Sequence, residues 1–226
     1  MNFSKAALSI VLLSGLLGSC RSSHWGYQVR GEGPQTASTR ELETFDRISL
    51  SGGMKLDVVV GEPQSLVIFA DGNLHEYIRT RIEGSTLKID FTESISTKNE
   101  LRAQISVAQL EGIAISGSSE LNITNVNANA FYIDVAGSVA GTVEGTAKSL
   151  DVDIAGSARI DLFALRAEDV KVNVAGSAHL KVNAKEFLDV DVAGSADVTY
   201  RGKPNVSIDQ AGSARVHADS KQDESF

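Results

Sequence analysis

Cysteine is almost missing from this chain of 226 residues. The single copy, Cys20, allows no intramolecular disulfide, so a folded domain here must rest on packing. Histidine is scarce too. His24, His75, His179 and His217 stand far apart, and no HExxH or CxxC spacing occurs, which removes the common zinc motifs. Aromatic residues are few, with eight Phe, four Tyr and one Trp. A carbohydrate platform built from a recurring aromatic is therefore not expected. Positive charge is in deficit: 21 Lys and Arg face 29 Asp and Glu, a formal net charge of −8. An acidic chain repels phosphate backbones and anionic lipid surfaces, so nucleic acid is not an expected partner. No apolar run reaches the ~20 residues that a membrane-spanning helix needs.

What the chain does have is repetition. Ile113-Ala-Ile-Ser-Gly-Ser118 is followed by Ile133-Asp-Val-Ala-Gly-Ser138, Val152-Asp-Ile-Ala-Gly-Ser157, Val172-Asn-Val-Ala-Gly-Ser177, Val190-Asp-Val-Ala-Gly-Ser195 and Ile208-Asp-Gln-Ala-Gly-Ser213. The glycines Gly117, Gly137, Gly156, Gly176, Gly194 and Gly212 are spaced 20, 19, 20, 18 and 18 residues apart. A period of this size marks stacked supersecondary units. Apolar and polar residues alternate on both sides of each glycine. In the third unit, Val152, Ile154, Ala158, Ile160 and Leu162 share one parity against Asp151, Asp153, Ser157, Arg159 and Asp161. Period two means strand with one face buried. The parity runs through the glycine, which places it on the inward row or at a corner needing positive φ.

Eighteen to twenty residues fit one coil of a β-solenoid or one hairpin. A coil lays each unit on its copy, so like side chains align ~4.8 Å apart. The serines Ser118, Ser138, Ser157, Ser177, Ser195 and Ser213 form such a column, and Ala precedes five of the six glycines. Hairpins favour Asn-Gly or Asp-Gly turns, and neither dipeptide occurs from 112 to 226. The expected fold is all-β: a parallel β-helix-like solenoid with an N-terminal antiparallel β segment. An antiparallel sandwich or roll is the alternative.

Three residues before the glycines stand Ala114, Asp134, Asp153, Asn173, Asp191 and Asp209. Stacked carboxylates repel, and a hard cation such as Ca²⁺ would relieve them. That makes Asp134, Asp153, Asp191 and Asp209 the candidate ligands. The competing reading is a solvated face balanced by neighbouring Arg and Lys. It is favoured by the mixed row Arg159, His179, Asp197 and Arg215. On that reading no metal and no cofactor is required. Six copies of one serine also argue against a nucleophile, which is unique and needs a base at hand. Ser51-Gly-Gly-Met54 is not a phosphate loop, because no Gly-Lys-Ser/Thr follows. No catalytic residue is assigned.

The chain opens with Lys5, then the apolar run Ala6 to Leu17, then Leu17-Gly-Ser-Cys20. Residues 1–19 read as a signal peptide. The end of this run resembles the lipobox of bacterial lipoproteins, in which the chain is cut before the Cys and the thiol is acylated. That resemblance assigns Cys20 as the lipidated residue. Arg21, rather than Asp, follows it, which by the related sorting rule points to the outer membrane, facing either the periplasm or the exterior. Removing the signal takes away Lys5 and no acid, leaving −9 for residues 20–226. Residues 20–40, rich in Ser, Gly, Gln and Thr, read as a tether, with His24, Trp25 and Tyr27 able to pack on the domain or sit at a lipid interface. Residues 41–218 are the β domain, 112–218 its Gly-Ser repeats, and 219–226 a polar tail expected to fray.

Between 41 and 110, strands are expected around Ser51-Gly52-Gly53, over Leu66–Phe69 and in a hairpin from Arg81 to Phe91 with Gly84-Ser85 at its tip. Thr92 to Glu100 reads as a mobile polar loop. Phe45-Asp-Arg-Ile-Ser-Leu-Ser-Gly-Gly53 followed by Leu56-Asp-Val-Val-Val-Gly61 is similar to the opening of the putative auto-transporter adhesin, head GIN domain family. So are Ala70-Asp-Gly-Asn-Leu74 with Ile78, Gly84 with Leu87-Lys-Ile89, and the Gly-Ser repeats. The likeness covers roughly residues 42 to 218. Proteins of this family are common as envelope lipoproteins of Bacteroidetes-like bacteria. The resemblance implies a right-handed β-helix-like solenoid and no established activity.

The expectation for function is a non-catalytic, lipid-anchored envelope protein. It would act as an adhesin or interaction scaffold, held to the membrane by its anchor and contacting protein or glycan, or a second copy of itself. The alternative is a polysaccharide lyase or hydrolase using acids on the outer rows, an analogy from fold alone.

Overall fold

The computed structural model describes residues 28–220. The chain is all-β, with a single short 3-10 turn at Gly72–Tyr77 and no α-helix among the described residues. Short strands come first: β1 (Val29–Arg30), β2 (Gln35–Arg40), β3 (Arg47–Ser51), β4 (Lys55–Val60), β5 (Ser65–Asp71), β6 (Ile78–Glu83), β7 (Thr86–Phe91), β8 (Ile95–Ser96) and β9 (Arg102–Val107). A continuous extended run, β10 (Gly112–Arg201), carries five of the repeats, and β11 (Asn205–Ala218) carries the sixth.

The repeats lie on one another in register. β11 pairs parallel with the end of β10, with Gly194 opposite Gly212 and Ser195 opposite Ser213. Along β10 the same file continues. A Cβ added to any repeat glycine from Gly137 to Gly212 would fall 2.2 Å or less from the carbonyl oxygen of the preceding repeat glycine. These glycines have φ between 124° and 147°. Both facts demand glycine: the backbone conformation excludes an L side chain, and the next turn of chain occupies the space one would fill. Side chains also bond across the repeat. Lys181 reaches Asp161 at 2.7 Å, and Asn183 Nδ2 donates to the Phe163 carbonyl at 3.1 Å.

The alternation read from the sequence is the burial pattern. Val152, Ile154, Ile160 and Leu162 are buried, as are Val170, Val172, Leu180 and Val182 in the next unit. A single core runs from Phe45 to Val198, with Phe131 among its largest enclosed side chains.

The N-terminal segment departs from expectation. It is only partly antiparallel. β3 and β4 pair parallel with residues 112–116 and 120–124 of β10, and β7 and β9 pair parallel with β3 and β4. The antiparallel pairs are β2 with β5, β5 with β9 and β6 with β7. Period-two alternation says which face is buried, not which way the neighbour runs. Gly52 is a seventh member of the glycine file, since a Cβ on Gly117 would meet its carbonyl oxygen at 2.5 Å. Ile48-Ser-Leu-Ser-Gly52 is thus a further copy of Ile113-Ala-Ile-Ser-Gly117, hidden by the insertion of 61–110 between them. The Phe91 ring, 2.3 Å from where a Gly52 Cβ would sit, closes that end of the file.

The tether expected over 20–40 is shorter than its composition suggested. β2 pairs along its length with β5, and β1 pairs with β8. The loop Thr92–Glu100, read as mobile, is fastened by β8 and by the buried Asp71, which accepts hydrogen bonds from Thr97 Oγ1 at 2.5 Å and from Asn99 Nδ2. Polar composition did not reveal that partner. The tail expected to begin at 219 is held at its first residue, where the Asp219 amide donates to the Tyr200 carbonyl at 2.8 Å and its carboxylate meets Arg201. The hairpin of β6 and β7 turns at Gly84-Ser85 as expected.

Candidate interaction surface

The glycine file, at positive φ in every unit, marks a corner of the chain. On its near side the alanines Ala136, Ala155, Ala175, Ala193 and Ala211 face solvent, and on its far side all six column serines do. Small residues are needed there because the chain turns back under a neighbour with no room for a Cβ at the glycine itself. Two shallow grooves flank the corner.

The first groove has an alanine floor and an acidic wall of Asp134, Asp153, Asn173, Asp191 and Asp209. These residues form a column rather than a converging set. Asn173 Nδ2 donates to Asp153 Oδ1 at 2.6 Å, and Asp191 lies directly opposite Asp209 in the ladder. Among the described residues no group of three or more His, Cys, Asp or Glu is placed to hold a metal ion. The candidate Ca²⁺ ligands are therefore spread along one wall. No lysine or arginine lines this groove, so the convergence of acid and base that polysaccharide cleavage needs is not assembled in it.

The second groove runs along the serine column with Arg159, His179, Asp197 and Arg215. His179 Nδ1 lies 3.8 Å and His217 Nδ1 3.6 Å from the Asp197 carboxylate. His75 and His217 hydrogen-bond to the hydroxyls of Thr36 and Thr199, not to the column serines.

Beyond Asp134 the acidic wall runs into a third depression, beside the exposed Tyr132, with Arg47, Lys88 and Thr86 from the stacked β3 and β7. Arg47 is paired with Glu111 at 2.7 Å. The repeat pattern does not reveal this patch, because Tyr132 has no counterpart in the other units. Its only signal was a lone aromatic at an outward position. Three carboxyls are held below the ordinary range. Hydrogen bonds from Thr97 and then Asn99 do this for Asp71, bonds from Lys88 and then Arg81 for Glu83, and bonds from Arg79 and Arg81 for Asp90. None of the three lines either flank of the corner. Cys20, the assigned lipidation site, lies outside the described residues, as do His24, Trp25 and Tyr27.

A sequence model of one protein family, the putative auto-transporter adhesin, head GIN domain, matches residues 44–204. The chain belongs to that family. Its head GIN domain thus runs from just before β3 to just before β11. Solved structures with the same fold include an adhesin, described as putative, from Bacteroides fragilis NCTC 9343, at 20% identity and a TM-score of 0.67, over 84% of this chain and 99% of the other. A second putative adhesin, from Parabacteroides distasonis ATCC 8503, matches at 18% identity and a TM-score of 0.53, over 85% and 100%. A putative lipid binding protein from the same strain matches at 21% identity and a TM-score of 0.50, over 86% and 100%. Identities this low establish the shared fold of the head GIN domain and nothing of a ligand. Among curated proteins, none matches.

Proposed function

We propose that this head GIN domain is a right-handed β-solenoid. On this reading it is displayed at the cell envelope by a lipid on Cys20 and works by surface contact rather than by catalysis. In-register parallel pairing and the glycine file support the solenoid, and a parallel crossover is right-handed in ~98% of cases, which supports the hand. The apolar run ending at Cys20, followed by Arg21, supports an outer-membrane lipoprotein. A second acyl chain or equivalent signal makes such an anchor stable.

The observation that carries the contact role is the corner. An exposed Ala-Gly-Ser ridge repeats with the coil and is flanked on one side by the acidic wall. A row of like charges at coil spacing suits a partner that offers basic groups at intervals, so a protein surface or a cationic polymer fits better than an acidic glycan. The test displays the chain on cells and measures attachment to immobilised basic and acidic proteins at several salt concentrations. Attachment to the basic surface is expected to fall with salt, and also in a variant carrying Asp134→Asn, Asp153→Asn, Asp191→Asn and Asp209→Asn. Equal attachment by that variant would reject the acidic wall as the contact. Fractionation of a Cys20→Ala variant tests the anchor: release from the membrane fraction is expected.

A further inference from the structure

The two ends of the stack are unlike. At the N-terminal end the parallel rungs are covered by antiparallel strands, β6 on β7 and β2 on β5, and by the Phe91 ring. At the other end nothing covers β11 among the described residues. Ile208 is 45% exposed, although Val190, its partner one coil below, is 0% exposed. Val206 and Phe187 are also exposed, so among the described residues three of the five exposed large apolar side chains lie on the last two coils. β11 is fourteen residues long and contains no lysine or proline; Lys203 and Pro204 precede it. Long, unblunted edges of this kind pair with another strand.

We propose that β11 pairs antiparallel with β11 of a second copy, about a two-fold axis through Gly212. The centre is set by geometry. The file stacks glycine on glycine from one unit to the next, and it crosses into the second copy only if Gly212 lies opposite the partner's Gly212. In that register the residue numbers of opposed positions sum to 424, so Ile208 meets the partner's Val216 and Val206 meets the partner's Ala218. Inward positions face inward positions, continuing the core across the axis. The charges then follow without further choice: Asp209 falls opposite the partner's Arg215, twice by symmetry. Asp209, otherwise stacked on Asp191, gains a counter-charge. The contact is isologous and closes at two copies. The antiparallel strands at the opposite end offer no matching rung for a filament. This self-association is separate from the contact role of the flank, which a dimer would present twice.

The experiment uses the full chain, purified from membranes, in density-matched detergent in the analytical ultracentrifuge. The wild type is expected to sediment as a dimer. Asp209→Arg and Arg215→Asp, each alone, set like charges opposite at both symmetric contacts and are expected to weaken the dimer at least about tenfold. Mixing the two variants restores opposite charges at both contacts and is expected to restore a dimer. Far-UV circular dichroism establishes that each variant is folded. A measurement without variants runs alongside: hydrogen exchange of β11 amides should slow as protein concentration rises. A monomeric wild type, variants that dimerise unchanged, a mixture that stays monomeric, or β11 exchange independent of concentration would each overturn the proposal.

Discussion

Replacing Gly156 with Ala probes the glycine file most directly. Two costs add. The first is conformational: φ at Gly156 is 142°, a region closed to L side chains, and holding one there costs about 1–3 kcal/mol. The second is spatial. The new Cβ would sit 2.2 Å from the Gly137 carbonyl oxygen, about 1 Å inside the closest tolerable approach. Relief requires the two coils to part locally, which sacrifices one or two ladder hydrogen bonds at about 1 kcal/mol each. The sum is about 2–5 kcal/mol. Gly61→Ala separates the two costs: its φ is 90°, yet nothing lies within 4 Å of the added Cβ, so it carries only the first. Ser157→Ala, exposed and next in sequence, should change stability by no more than about 0.5 kcal/mol. Urea denaturation followed by circular dichroism ranks the three. If Gly156→Ala cost no more than Gly61→Ala, the close approach between coils would be wrong, and the stacked architecture with it.

Phe131 is fully enclosed, and Phe131→Ala should cost about 3–5 kcal/mol in the same urea assay, whereas Phe187→Ala, at an exposed site, should be near neutral. Asp71 and Asp90 are stabilised in their charged forms, so folded-state stability from them is full above the unfolded carboxyl value of about 4 and is lost as pH falls through their lower folded values. The melting temperature should therefore drop on acidification below about pH 4, and less steeply in the Asp71→Asn/Asp90→Asn double variant; parallel curves would count against the assignment. A Ca²⁺ site with Kd of about 0.1 mM would add about 2 kcal/mol at roughly 2 mM Ca²⁺. The spread of the acidic wall instead leads us to expect identical melting with Ca²⁺ and with chelator. Asp71→Ala should free the loop from 92 to 100 and hasten its cleavage by protease, read by mass spectrometry of the fragments.

The repeats were legible because each unit states the same facts. Parity names the buried row, and the invariant glycine names the corner. The β6–β7 hairpin was legible from its Gly84-Ser85 turn, but β2 was not, because Gln35–Arg40 is polar apart from Ala37 and its direction leaves no trace in composition. Gly52 escaped for a different reason: its rung is built from β3 and β4, but an insertion separates it from its copies. The loop after Phe91 looked free because its anchor, Asp71, is distant in sequence and only a fold brings it near. At the surface, the acidic column could be read residue by residue. Its failure to converge could not, since spacing along a ladder gives neighbours and not angles. Tyr132 and the open β11 edge are visible only once the coils are assembled, one as a departure from the repeat and the other as a place where the next unit is missing.

Carbonyl against glycine, turn after turn, has a bearing on how such a domain can change in size. Each interior unit meets the same two faces, so whole units of eighteen to twenty residues could be gained or lost between Gly137 and Gly194 without altering any junction. Every unit added would lengthen the body by ~4.8 Å and leave its cross-section alone. Partial units would not be tolerated, because a shift of even one residue would bring a side chain into the corner. Duplication in register is thus the cheapest way for this protein to adjust its length, and relatives should differ in length by whole turns.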